Sequence, residues 1–169
     1  FKTLLYTILG IGIMTALMTL TSITTPIEGV YIQLAYGYLA LFAGVAGAIP
    51  AAIVGFTGHV LFDLIYTDHL WLSWALSTGA LGFVFGFAIR RKSLRQGVFS
   101  QHDMIRFNVV QAVVNIAIFG LIAPTLDVLF YQQSTTIVFT QGWIASIVNL
   151  LTVAVFGTIT LKLYANYKL

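Results

Sequence analysis

The chain has 169 residues, of which 59% are hydrophobic and only 8% charged, with eight Lys and Arg against five Asp and Glu. A soluble domain carries about 25% charged residues, so this composition excludes a soluble globular protein and points to an integral membrane protein. The absence of cysteine excludes disulfide and thiolate chemistry.

A membrane-spanning helix needs about 20 mostly apolar residues. The first such segment covers residues 3–23, and no small-residue cleavage site precedes Thr24–Pro26, so no cleavable signal peptide is expected. A short polar loop with Thr25, Pro26, Glu28 and Gly29 follows. The second segment, 32–49, is rich in Tyr, Ala and Gly. Pro50 fits the first turn of the third, where its missing N–H costs nothing, and this segment runs to 66. The fourth covers 70–89. A polar stretch, 90–106, separates it from the fifth, 107–123, which Pro124 is expected to end. The sixth covers 139–164. The prediction is therefore an all-α, single-domain bundle of six transmembrane helices over residues 1–169. Because the turn between segments two and three is very short, five is the competing count.

Charge distribution separates the two counts. With six spans and a cytoplasmic N-terminus, Lys2, Arg90, Arg91, Lys92, Arg95, Arg106, Lys162 and Lys168 all fall on the inner side. The outer loops then hold Glu28, Asp68 and Asp127 and no cation, which satisfies the positive-inside rule throughout. Five spans would place the basic ends on opposite sides. Both termini are thus expected in the cytoplasm of a multi-pass protein of the bacterial cell membrane. The Arg90–Arg95 cluster is a topology signal, and contact with lipid headgroups is its second reading. This distribution disfavours nucleic acid as a partner. No nucleotide-binding loop, HExxH or GxSxG motif is present, so a pump would need its energy from elsewhere.

Polarity concentrates in residues 55–74, GFTGHVLFDLIYTDHLWLSW. Ionisable groups at membrane depth are costly and usually mark function. His59 and Asp63 lie one turn apart on one helix face. They are read either as a structural pair or as solute contacts, and a metal site lacks a third ligand. Trp71 and Trp74 are either interface anchors or a stacking wall for a flat ring. Asn108, Gln111 and Asn115 form a polar stripe on segment five, of which Asn115 is the expected solute contact. Gln141 and Asn149 lie on segment six, and Glu28 and Gln33 in and after the first loop. Together these outline an outward-facing pocket of aromatics, amides and carboxylates without Lys or Arg. It suits a neutral or weakly basic flat solute and suits a phosphate or carboxylate poorly. Gly12 and Ala16, spaced by four on segment one, offer a face for close helix approach, as do Gly82 and Gly86 on segment four. The second function class is a stand-alone proton-coupled carrier or an intramembrane enzyme using His59 and Asp63 as a relay. Against it, residues 50–57 hold no ionisable group to continue that relay.

The run GFTGHVLFDLIYTDHLWLSWALSTGALGFVFG, with TPI in the first loop, FNVVQAVVNIAIFGLIAPTLD in segment five and FTQGWIASIVN in segment six, resembles the substrate-binding S components of energy-coupling factor (ECF) transporters. It is most similar to a long-uncharacterised group that includes hydroxymethylpyrimidine-type members. The resemblance covers nearly the whole chain. It implies a six-helix subunit, not an enzyme and without a cofactor, that captures a vitamin or vitamin precursor from outside. The best match of solute is hydroxymethylpyrimidine, a thiamin precursor. The partners implied are a transmembrane coupling subunit and two cytoplasmic ATPases. Gly12 and Ala16 stand where the family carries its docking motif, and residues 25–33 where it carries a lid. Leu70-Trp71-Leu72-Ser73-Trp74 departs from the adjacent Trp pair common in the group.

Overall fold

Helix α1, Lys2–Leu20, is apolar on all sides and buries Met14, Thr15 and Met18 against its neighbours. The computed structural model describes residues 2–67 and 69–168 of the chain. After α1 the chain forms a minimal antiparallel hairpin, β1 (Ile23–Thr24) with β2 (Tyr31–Ile32), pairing Ile23 with Ile32 and Thr24 with Tyr31. Thr25 closes the loop between them by bonding the Ile27 and Val30 carbonyls at 3.1 and 2.9 Å. Hydropathy has no signal for a hairpin this short.

Helix α2 covers Ala35–Ala46 and α3 Ala48–Phe62, joined at Gly47, whose φ of 104° belongs to the left-handed side where glycine carries no steric penalty. Pro50 sits in the first turn of α3, where its absent N–H leaves nothing unpaired. Helix α3 continues as a π-helical turn, Asp63–Thr67. Helix α4 covers Leu72–Ala88 and a short α5 Arg91–Arg95. Helices α3 and α4 lie so close that a side chain at Gly82 would strike the Ala51 carbonyl and one at Gly86 the Ala48 backbone. The GxxxG spacing of segment four therefore serves packing inside the bundle.

Several boundaries differ from the sequence reading. Helix α6 begins at Gln101, six residues before the predicted start, because Ser100 and Asp103 form a reciprocal capping box. The Asp103 carboxylate accepts from the Ser100 N–H at 3.0 Å, and Ser100 Oγ accepts from the Asp103 N–H at 3.2 Å. Pro124 does not end this helix. Helix α6 (Gln101–Asn115) widens into a π-helical stretch, Ile116–Ile122, and runs on as α7, Ala123–Tyr131. A proline removes one N–H and pushes on the preceding turn; the wider turn ahead of Pro124 carries the chain past it, and such adjustments let proline persist in membrane helices. The last span likewise runs from Thr135, not 139, through α8 (Thr135–Thr152), a third π turn (Val153–Gly157) and α9 (Thr158–Lys168).

Among the described residues, four helical runs are long and apolar enough to cross a membrane: Lys2–Leu20, Ala48–Thr67, Gln101–Tyr131 and Thr135–Lys168. The apolar helices α2 and α4 are shorter. The buried core runs between them through Leu39, Val54, Leu81, Phe85, Phe107, Phe119 and Leu161. One end of the bundle is basic. There Arg91 and Arg95 both donate to the Val45 carbonyl, at 3.1 and 2.7 Å, satisfying the end of α2. Lys162 donates to the Phe99 carbonyl, and Arg90 lies 3.5 Å from Asp103. The opposite end holds the carboxylates Glu28, Asp63 and Asp127 and the candidate site.

Candidate functional site

At that opposite end the β1–β2 loop, the start of α2, the close of α3, the start of α4, α7 and α8 surround a cavity of about 450 Å³. Every solute residue expected from the sequence lines it except Asn115: Glu28, Gln33, His59, Asp63, Trp71, Trp74, Gln141 and Asn149. No Lys or Arg does. Asp68, read as part of an outer loop, lies outside the described residues.

The floor and walls come from helical spacing. His59, Phe62 and Tyr66 fall at i, i+3 and i+7 and share one face of α3 and its π turn. Phe62 and Tyr66 stack at 5.1 Å between ring centres, and Tyr31 from the loop meets both edge-on at 6.0 and 5.7 Å. Burial, with Tyr66, Glu28 and Asp63 nearby, pushes the Tyr31 phenol up, so it remains a neutral hydroxyl. His59 Nδ1 lies 2.7 Å from Thr78 Oγ1, and its Nε2 is 3.6 Å from Asp63 Oδ1. His59 thus has a hydrogen-bonded partner on α4 as well as the carboxylate one turn on. Asp63 Oδ2 accepts the Trp71 N–H at 2.9 Å. Gln141 donates to the Glu28 carbonyl at 2.8 Å and ties the loop to α8. Gln33 faces the loop's root, donating to Ser22 Oγ at 2.8 Å and to the Met18 carbonyl at 3.1 Å.

Asn149 is 2% exposed, and its amide nitrogen is buried without a hydrogen-bond partner among the described residues. A buried, unpaired donor is costly, and this one borders the cavity with the Tyr36 phenol close by. Asn115 does not line the cavity. It is fully buried, donates to the Gln111 carbonyl at 2.9 Å and to Gln111 Oε1 at 3.1 Å, and belongs to a polar column continued by Asn108, which donates to Thr158 at 2.9 Å. Gln111 also reaches the Leu150 carbonyl at 3.3 Å, so the stripe joins α6 to the last span; its amides act as helix-joining groups.

Sequence reasoning left out Tyr31, Tyr36, Phe62, Tyr66 and Asp127, all of which line the cavity. The 59–62–66 spacing was a usable signal, as was Asp127, an ionisable residue on an otherwise apolar helix. Tyr31 and Tyr36 carry no such signal, because tyrosine at a membrane interface is ordinary. No group of three or more His, Asp or Glu residues fit to hold a metal occurs among the described residues. On α1, Gly12 and Ala16 both face outward, with open space beside Gly12.

An apolar helical bundle with an aromatic, cation-free cavity at one end has the form of a multi-pass membrane protein that binds a small solute. Comparison with known proteins makes the class specific. The chain belongs to the family of ECF-type riboflavin transporter S components, whose model matches residues 1–166. It is 43% identical over 164 residues to a UPF0397 protein of Lactococcus lactis subsp. cremoris, covering 97% of this chain and 90% of that one. Relatives with the same designation in Enterococcus faecalis and Lactobacillus acidophilus are 39% and 40% identical, over 96% and 95% of this chain and 91% and 87% of theirs. No solved structure matches the chain significantly. Members of this family are substrate-binding subunits of ECF transporters, not enzymes, and they imply association with coupling and ATPase subunits.

Proposed function

We propose that this subunit captures a flat, neutral or weakly basic heteroaromatic solute from outside a bacterial cell for ATP-driven import, and that the solute is hydroxymethylpyrimidine. The observation that carries the reading is the chemistry of the cavity. Aromatic faces line it, Asp63 and Glu28 offer acceptors, Asn149 offers an unpaired donor, and no cation is present to hold a phosphate or carboxylate. An aminopyrimidine carries ring nitrogens to accept from Asn149 and an amine to donate to a carboxylate. Trp71 and Trp74 supply a stacking wall; Gln33, His59 and Gln141 complete the polar lining. Riboflavin is the second reading, favoured by the name of the matching family and by a volume of about 450 Å³, in the range of drug-sized sites.

In this account all six apolar helices cross the membrane, α2 and α4 included. The basic end, with both termini, faces the cytoplasm and the cavity faces out, in keeping with the positive-inside rule. The loop at residues 25–33 is the lid. The outward face of α1 at Gly12 and Ala16 docks on the coupling subunit, where small residues permit close helix approach. Two ATPase subunits on the cytoplasmic side supply the energy, and lipid covers the remaining apolar surface. Mass spectrometry of the small molecule that co-purifies with the protein tests the assignment. Hydroxymethylpyrimidine is the expected result; a flavin selects the second reading, and an anionic metabolite overturns both.

A further inference from the structure

Helix α4 starts without a cap of its own. Its first residues read Trp71-Leu72-Ser73-Trp74, and no side chain at the N-cap bonds back to the helix. A helix start leaves N–H groups unpaired unless something accepts them. Here the acceptors come from other elements. Asp63 takes the Trp71 N–H at 2.9 Å, and the Tyr131 hydroxyl takes the Leu72 N–H at 3.1 Å. Asp127, one turn before Tyr131 on α7, spends both carboxylate oxygens on the same segment. Oδ1 accepts from the Ser73 hydroxyl, and Oδ2 accepts from Trp74 Nε1 at 2.7 Å. Asp127 is 1% exposed. The Trp71 ring meets Tyr131 at 5.1 Å, and Trp74 leans on Phe119 at 5.8 Å.

We propose that Asp127 is a positioning residue for solute capture: it acts through Ser73 and the Trp74 indole N–H to hold the tryptophan wall of the cavity at one angle. The inference rests on the solute site proposed above, and extends it to a residue outside the predicted set. Its chemistry follows from the donors. An indole N–H pointed into a mostly apolar wall has few partners, and a charged acceptor holds it more strongly than a neutral one. Fixing the ring before the solute arrives removes an ordering cost from binding. Asp127 borders the cavity, but Ser73 and Trp74 already engage both its oxygens, so it shapes the wall and leaves the ring contacts to its neighbours.

Two measurements test this. In protein labelled with 15N at tryptophan, the Trp74 indole N–H resonance should lie downfield of Trp143 and move upfield in Asp127→Asn; an unmoved resonance refutes the bond. That readout needs no solute. In titrations with hydroxymethylpyrimidine and with riboflavin, Asp127→Asn should weaken whichever binds by about tenfold or more, as loss of a charge-assisted bond implies. The same substitution placed on Ser73→Ala/Trp74→Phe should weaken it less than threefold further. Equal losses in both backgrounds overturn the positioning role and leave Asp127 either on the solute or in the fold. If neither compound binds the wild-type chain, the proposed solutes fail, and the resonance decides the role of Asp127 by itself.

Discussion

Removing the Gln141 amide should loosen the loop over the cavity by a calculable amount. Gln141 Nε2 donates to the Glu28 carbonyl at 2.8 Å, across 113 residues of sequence. It is the hydrogen bond from α8 to the tip of that loop. Among the described residues, the loop is also held by the aromatic contacts of Tyr31 with Phe62 and Tyr66, the bonds of Gln33 at its root and the burial of Val30. The bond is neutral and solvent-accessible, so its net contribution is about 0.5–1.5 kcal/mol. That corresponds to roughly a two- to twelvefold change in the opening equilibrium. Hydrogen exchange reads local opening directly, and the Val30 and Thr25 N–H groups, bonded at 3.1 and 3.2 Å to Ile27 and Val30, report on this loop. In Gln141→Ala their exchange should speed up by that factor, with amides in the middle of α6 unchanged. Solute dissociation should accelerate in proportion. Exchange at Thr25 and Val30 equal to wild type would refute the reasoning and leave the aromatic contacts as the loop's real fastening.

Asp63→Asn should weaken solute binding severalfold while assembly with the coupling and ATPase subunits persists; unchanged affinity in a direct titration makes Asp63 structural only. Ala16→Leu should reduce recovery of the coupling subunit in a pull-down and spare solute binding, and a normal complex removes α1 as the docking face. Gly82→Val should lower the unfolding temperature in detergent, because the added side chain meets the Ala51 carbonyl of α3 and overpacking of this kind costs about 1–3 kcal/mol. Ser100→Ala should cost about 1 kcal/mol through loss of the α6 cap, measured as a smaller drop in the same assay, and equal stability would show that the capping box contributes nothing there.

Much of this was legible before any coordinates. Hydropathy locates the apolar helices, and the eight cations set against three loop carboxylates carry the proposed orientation of the bundle. The polar run 55–74 marks the cavity because ionisable groups rarely sit at such depth without purpose. Boundaries were less legible. Pro124 reads as a stop, yet the π-helical stretch before it carries the helix on to Tyr131. Ser100 and Asp103 spell a capping box, but the surrounding charge makes residues 90–106 read only as a polar stretch between segments. Asn115 misled for a different reason. Depth along a helix is visible in sequence, whereas which neighbour a face meets is not, and Asn115 faces Gln111 instead of the cavity. Tyr31 and Tyr36 enter the site only because the loop and α2 fold over it, a tertiary arrangement that no local pattern encodes.

The central claim is that this chain binds the solute and its partners drive the transport. Uptake of radiolabelled hydroxymethylpyrimidine into proteoliposomes tests it most directly. The account predicts accumulation when the chain is reconstituted with its coupling and ATPase subunits and ATP, and none with the chain alone. Accumulation by the chain alone under a proton gradient, abolished by His59→Ala or Asp63→Ala, would contradict it.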